Sequence, residues 1–201
     1  MKITILHRVL LLLTGLLAAW QVAVGINGVE TVPMTAYTVG FGVLLIAGLL
    51  LIILGFEALD SPIVAVFSTL IPLGLALGLA WEYLPTWRSP YLVFAIVGFL
   101  SVLITRTLRL ENKLPVLVLG LVHGVAGLTI FLLPLFVVLQ HNASPGFLLV
   151  SLGGMLIGLA GILLGLLKTG KPLLSRSMLL KLLPALLLVM TAAFVAGFSW
   201  S

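Results

Sequence analysis

Long apolar runs separated by short polar clusters form the main pattern of the sequence. Seven runs approach or exceed the roughly 20 residues that a helix needs to cross a hydrocarbon layer. Turn-forming or charged residues separate them, including Asn27-Gly28 and Asp60-Ser61-Pro62. The pattern therefore predicts seven transmembrane helices, at Val9–Ile26, Thr35–Phe56, Ile63–Tyr83, Tyr91–Leu108, Leu114–Leu139, Phe147–Leu167 and Met178–Phe198.

The composition excludes the other classes of protein. Of the 201 residues, 62% are hydrophobic and only 7% are charged. A soluble domain carries about 25% charged residues, so this chain cannot solvate a soluble surface. The alternating segments of a membrane β-barrel are absent as well. We predict an all-α polytopic membrane helix bundle, with residues 1–201 forming a single transmembrane domain.

The basic residues predict the orientation of the bundle, because Lys and Arg collect in cytoplasmic loops. With the N-terminus inside, nine of the ten Lys and Arg lie at cytoplasmic ends, and only Arg88 lies outside. We therefore expect a bacterial-type cytoplasmic membrane, with the N-terminus inside and the C-terminus outside. The net charge of +5 then reports orientation and not a nucleic-acid partner. The first span also resembles a signal peptide, but we expect it to be retained because it matches the fifth span.

An internal repeat is indicated when the chain is aligned with itself at an offset of about 112 residues. Pro72 then matches Pro184, and with one residue of slack Gly40 matches Gly153. The repeat halves would be residues 9–83 and 114–198, joined by a connector helix at 91–108, in a 3+1+3 plan. Halves of three spans share one orientation and are related by an axis along the membrane normal, as in some transporters. Leucine-rich sequences also produce such matches by chance.

Glycines recur at four-residue spacing in three of the predicted spans. This spacing lets helix backbones approach closely in a membrane, so we expect tight packing within a bundle or a dimer. A second interpretation is that the glycine faces let helices slide or line a narrow passage. The glycines are Gly74, Gly78, Gly120, Gly124, Gly154, Gly158, Gly161 and Gly165.

Three polar side chains within the spans form the candidate intramembrane site. His123 is the one ionisable side chain near the middle of a span, and its helical neighbours are glycines. Such residues are functional-site hypotheses by default, although a histidine also serves as interhelical hydrogen-bonding glue. Gln21 and Thr14 lie seven residues apart on one face of the first span. We expect His123 to face the interior of the bundle.

The mid-span prolines Pro72 and Pro184 are candidate hinges. A proline leaves one backbone carbonyl without its helical partner, and a membrane tolerates this only where neighbours or water satisfy that carbonyl. A simple packing kink is the other interpretation of both prolines.

No pattern in the sequence predicts catalysis, a metal site or a cofactor. The chain has no cysteine, and no metal-ligand, nucleophile-elbow or phosphate-loop motif occurs. A haem held by two histidines is disfavoured, because His7 and His141 lie at span ends while His123 lies mid-span. We therefore predict no enzymatic activity, no metal and no cofactor.

Two functions remain open. The first is a small transporter or permeation protein, for a small apolar or amphipathic solute because few polar groups lie within the spans. The second is a non-catalytic accessory or assembly subunit, or a lipid-contacting scaffold, of a membrane complex. The expected partners are the lipid bilayer and either a second copy of the chain or another membrane protein.

Overall fold

The computed structural model describes residues 3–108, 113–168 and 173–200, and it describes the side chains of these residues except 164–168. Within this part of the chain, all regular structure is helical. Three short 3₁₀ turns, Gly55–Asp60, Pro85–Trp87 and Pro145–Phe147, lead into or out of helices. The α-helices are α1 (Ile5–Val24), α2 (Thr31–Leu54), α3 (Pro62–Ser68), α4 (Leu70–Tyr83), α5 (Arg88–Thr107), α6 (Leu114–Leu139), α7 (Leu148–Lys168) and α8 (Arg176–Phe198).

Seven helical segments of the described chain are long and apolar enough to cross a membrane, which fits a multi-pass membrane protein. Several helices begin before the predicted spans do. For example, α1 begins at Ile5 and α5 at Arg88, where the predictions start at Val9 and Tyr91. Hydropathy marks only the apolar middle of a span, whereas a helix can continue through polar residues at its ends.

The third span is broken into α3 and α4 at Thr69. Pro72 lacks the N–H that would bond to the carbonyl of Ser68, the residue at which α3 ends. The hydroxyls of Ser68 and Thr69 both donate to Ala65 O, at 3.0 Å. Pro184, in contrast, lies inside the continuous helix α8. The two candidate hinges therefore differ in local structure.

The two ends of the bundle carry different chain termini. We call the end with residues 55–61 and 173–175 the N-face, because α1 also begins there. The other end, the C-face, carries residues 25–30, 84–87 and 140–147 and the end of α8. At the C-face, the hydroxyl of Ser144 donates to Trp200 O over 2.8 Å.

Six helices form a closed ring, in which each contacts the next in the order α1, α2, α4, α6, α7, α8 and back to α1. The helix α5 lies outside this ring and contacts α4 and α6.

Aromatic rings fill the interior towards the C-face. Phe198 contacts Tyr37, Phe41 and Phe147, with ring centroids 4.7 to 6.3 Å apart. This half of the ring is therefore closed by side chains.

The six helices follow one another around the ring in chain order, and the residue contacts do not follow the alignment of the two halves. Replacing α1, α2 and α4 by α6, α7 and α8 leaves the order of contacts around the ring unchanged. In the first triplet, Gly40 packs against Ile71 and Leu75. The alignment predicts Leu187 as the counterpart of Leu75 beside Gly153, yet Gly153 packs against Phe194, about two helical turns farther along α8. The register of α8 against α7 therefore differs from the register of α4 against α2.

Candidate functional site

A groove of about 500 Å³ lies between α1 and α8 near the C-face. Its apolar wall is formed by side chains such as Leu17, Val195 and Phe198. Its polar lining includes Gln21 of α1, Asn27 of the following turn and Ser199 after α8. No charged side chain belongs to this lining among the described residues. The groove thus combines an apolar wall with a few hydrogen-bonding groups, as ligand pockets commonly do.

Gln21 is the most deeply buried polar side chain of this groove, with 8% of its surface exposed. Its amide Nε2 donates to Gly25 O over 2.7 Å. Gly25 ends α1 with a φ of +72°, a conformation that glycine adopts without strain. None of the described residues donates a hydrogen bond to the other amide atom, Oε1. The end of α1 thus holds a carboxamide whose acceptor oxygen is free.

Thr14 shares a face of α1 with Gln21 but does not line the groove. It is fully buried, and its hydroxyl donates to Leu10 O over 2.9 Å. Thr191 of α8 is also fully buried and bonds to the carbonyl one turn back, Leu187 O. These hydroxyls are satisfied by their own helices, so they add no polar path below the groove.

His123 lies on α6, away from Gln21 and Thr14. The ring is partly buried, and Nδ1 lies 3.1 Å from Leu119 O. Since a carbonyl oxygen only accepts hydrogen bonds, Nδ1 must carry the hydrogen and Nε2 is left as an acceptor. The structure therefore does not unite the three predicted polar residues into one site.

Four glycines of α6 and α7 lie on the N-face side of a close contact between these two helices. At that contact, a Cβ atom built on Gly154 would lie 2.9 Å from Phe131 N. Continuing this antiparallel register brings Gly158 opposite Gly127 and Gly161 opposite Gly124. Yet a Cβ on any of these four glycines would have no described atom of a neighbouring helix within 4 Å.

Of the eight predicted packing glycines, three make close contacts within the chain and four do not. The three are Gly74, Gly78 and Gly154, where a Cβ would collide with backbone or aromatic atoms. For the four others, no described atom of a neighbouring helix lies within 4 Å of the Cβ position, and packing against a second copy of the chain stays a prediction. They are Gly120, Gly124, Gly158 and Gly161. The surroundings of Gly165 lie outside the described side chains.

A polar cluster at the C-face was not predicted as a unit. Glu30 pairs with Arg88 over 3.2 Å and accepts a hydrogen bond from Trp81 Nε1 over 2.9 Å. Arg88 also donates to Trp81 O over 2.7 Å and lies over the indole ring. No signal in the sequence points to Glu30, because 58 residues of chain separate it from Arg88.

At the N-face, Asp60 pairs with Arg176 over 2.6 Å. This pair joins the turn after α2 to the start of α8, and both side chains are largely exposed. Elsewhere in the described chain, no group of three or more His, Asp or Glu residues could hold a metal ion. Comparisons with protein-family models, curated proteins and solved structures find no match to this chain.

Proposed function

We propose that the protein is an integral membrane protein of seven spans, with its N-face towards the cytoplasm of a bacterial-type cell. The distribution of charge supports this orientation. Arg8, Lys113 and Arg176 lie where helices begin at the N-face, whereas Arg88 lies at the C-face. The C-face also carries Trp87, which is 61% exposed, as expected for an indole at a membrane interface.

A reporter fused after Ser201 tests this orientation. An enzyme active only outside the cytoplasm should be active there, whereas the same enzyme placed in the connection between α7 and α8 should be inactive. The reverse pattern would exclude the proposed orientation, and activity at neither position would exclude membrane insertion as proposed.

We further propose that the protein transports, or lets through, a small amphipathic solute, and that it is not an enzyme. The groove between α1 and α8 carries this proposal, because it combines an apolar wall with the free acceptor of Gln21. The closed aromatic interior supports it as well, since a hydrophilic solute would need a polar path there.

The 3+1+3 plan is part of this proposal at the level of helix order. Two triplets related by an axis along the membrane normal would allow one triplet to rock against the other, as in transporters built from parallel repeats. The seams between the triplets are α1 with α8 and α4 with α6. The groove lies at the first of these seams.

Vesicles that contain the purified protein test transport directly. The probe is an alkyl glucoside with a nitrobenzoxadiazole fluorophore on its chain, and dithionite bleaches only the probe in the outer leaflet. We expect the protein to make the inner-leaflet probe accessible faster than in protein-free vesicles. Equal bleaching curves in the two preparations would exclude movement of this amphiphile between leaflets.

An accessory subunit is the second candidate function, and a different groove favours it. This groove, of about 230 Å³, lies among α2, α4 and α5 and is lined by apolar side chains such as Val39, Leu77 and Phe99. A face of this kind suits a lipid chain or a partner helix. Photo-crosslinking from position 96 in cells, followed by identification of the captured chain, distinguishes the two occupants.

A further inference from the structure

The two seams between the helix triplets differ in what covers them. The helix α5 covers the seam between α4 and α6, since it contacts both helices. At its C-face end, Tyr91 of α5 donates to the hydroxyl of Thr129 on α6 over 2.9 Å. No described helix covers the seam between α1 and α8 in this way. The groove with Gln21 lies in that uncovered seam and faces the lipid side, where Trp20 and Ala196 are exposed.

The free oxygen of Gln21 is held in place by the rest of the carboxamide. Because Nε2 donates to Gly25 O, the amide plane cannot turn over without breaking that bond. Oε1 therefore stays directed away from Gly25 and lines the groove as an acceptor. Oε1 has no donor among the described residues and is not among the fully buried atoms, so a donor that enters the groove can reach it. A ligand hydroxyl bound there would replace solvent and contribute the net free energy of one hydrogen bond.

The lining of the groove restricts the ligand further. A charged head group would find no countercharge, because the described lining contains no charged side chain. A cavity of about 500 Å³ falls within the range of roughly 300–1,000 Å³ that is usual for small-molecule sites. The apolar side chains of Leu17, Ala192 and Val195 suit a hydrocarbon chain. Together these features suit one apolar chain with a small, neutral, hydroxyl-bearing head.

We infer that the groove between α1 and α8 binds a single-chain amphiphile whose head-group hydroxyl donates to Gln21 Oε1. This inference deepens the proposed transport function, since it names the substrate class and the site. The apolar chain lies along α8, and the head lies beside Gln21 and Asn27 at the C-face. Binding at this site does not itself require transport, so the two claims are measured separately.

Photolabelling in lipid nanodiscs tests the site. One probe is an alkyl glucoside with a diazirine on its chain, and the matched probe is the same molecule with every hydroxyl methylated. We expect the hydroxyl probe to label peptides of α1 and α8, with half-saturation at a concentration roughly three- to tenfold lower than for the methylated probe. This is the effect of one hydrogen bond.

Three variants separate the parts of the site. Gln21→Leu should remove the preference for the hydroxyl probe. Ala196→Phe should block labelling by both probes, since it fills the groove from its exposed side and leaves Gln21 unchanged. Thr14→Val is the matched control, because Thr14 is a buried polar residue of the same helix that does not line the groove. Both probes should label the Thr14→Val variant as they label the unmodified protein.

Several outcomes would overturn the inference. Equal labelling by the two probes would show that Oε1 takes no part, and labelling outside α1 and α8 would show that the site lies elsewhere. Covalent dimers captured from a photo-reactive residue at position 196 would identify the groove as an interface between copies of the chain. If the labelling is as expected but the vesicles show no transport, the transport proposal is wrong and the binding site still stands.

Discussion

The two helix triplets share one order of contacts but differ in how many of their regularly spaced glycines lie against a neighbouring helix. In the first triplet, α4 lies directly against α2, and a Cβ on Gly74 would collide with Ala36 O. In the second triplet, Gly154 lies close to α6, whereas Gly158 and Gly161, nearer the N-face, have no described atom of a neighbouring helix within 4 Å of their Cβ positions. Four-residue glycine spacing occurs in both triplets. The spacing therefore identifies a helix face that another helix can approach closely. It does not tell whether another helix lies against that face.

The difference in glycine contacts also bears on the internal repeat. A glycine carries no side chain, so side chains at several positions along a neighbouring helix can pack against it. Gly40 meets Leu75 in one triplet, and Gly153 meets Phe194 in the other. The two triplets can thus share one order of helices while their residue contacts differ by about two helical turns. The following predictions test the difference between the triplets, beginning with the largest expected effect.

Gly74→Leu should destabilise the protein most, by about 3 kcal/mol, because the new side chain meets the backbone of α2 and the helices must separate. The thermal midpoint in detergent, followed by size-exclusion chromatography, measures the effect. Gly124→Leu is the matched control on α6, where the space is open. If both variants lose stability equally, the two triplets are packed alike and the comparison fails.

Gly78→Ala should have an intermediate effect, a loss of about 1–2 kcal/mol, because the added methyl group displaces the ring of Tyr37. A ring can turn aside more easily than a backbone, so the loss is smaller than at Gly74. Gly42→Ala on α2 provides the comparison, since nothing lies within 4 Å of its Cβ position. In chemical unfolding, Gly78→Ala should unfold at a lower denaturant concentration than Gly42→Ala. Overlapping curves would contradict the close contact between Gly78 and Tyr37.

Arg88→Met should cost about 1 kcal/mol, as expected for a partly exposed ion pair, since it removes the charge that links Glu30 to Trp81 at the C-face. Arg176→Met at the N-face should cost less than about 0.5 kcal/mol, because both members of its pair are 58% exposed. The free energy of unfolding of both variants, measured at low and at high salt, compares the ion pairs at the two ends of the bundle. A larger loss at Arg176 would show that the N-face pair holds the triplets together.

Gly124→Ala and Gly158→Ala should have the smallest effect, no loss or a gain of about 0.5 kcal/mol, because alanine favours a helix and the space beside both residues is open. The thermal midpoint relative to the unmodified protein measures this. A clear loss would indicate that a neighbouring helix lies close to these two glycines in the membrane. In that case a double variant would lose less than the sum of the single ones.

The sequence predicted the number and position of the spans because hydrophobic length alone sets both. The sequence also singled out Gln21 as a polar group inside a span, but the groove that it lines requires α8, which lies about 170 residues farther along the chain. The break at Thr69 depends on Pro72, which was predicted as a kink within a continuous span. Hydropathy does not report such a break, since residues on both sides are equally apolar.

The packing of individual glycines was not predictable from the sequence. Gly78 and Gly124 have the same spacing to a preceding glycine, yet one touches Tyr37 and the other touches no neighbouring helix. The deciding factor is the relative depth of two helices, and this depends on all their side chains together. The pairing of Glu30 with Arg88 depends on tertiary structure in the same way.

The contact between α1 and α8 has a consequence for how the protein is made. Of the six helices in the ring, α1 is made before the other five and α8 after them, so the ring stays open until α8 has been made. During that time the face of α1 that carries Leu11 and Ala18, both fully buried in the finished protein, has no final partner on the side of α8. Insertion of α8 therefore completes the ring and creates the groove in one step, so a nascent chain that stops before α8 lacks both the closed ring and the groove.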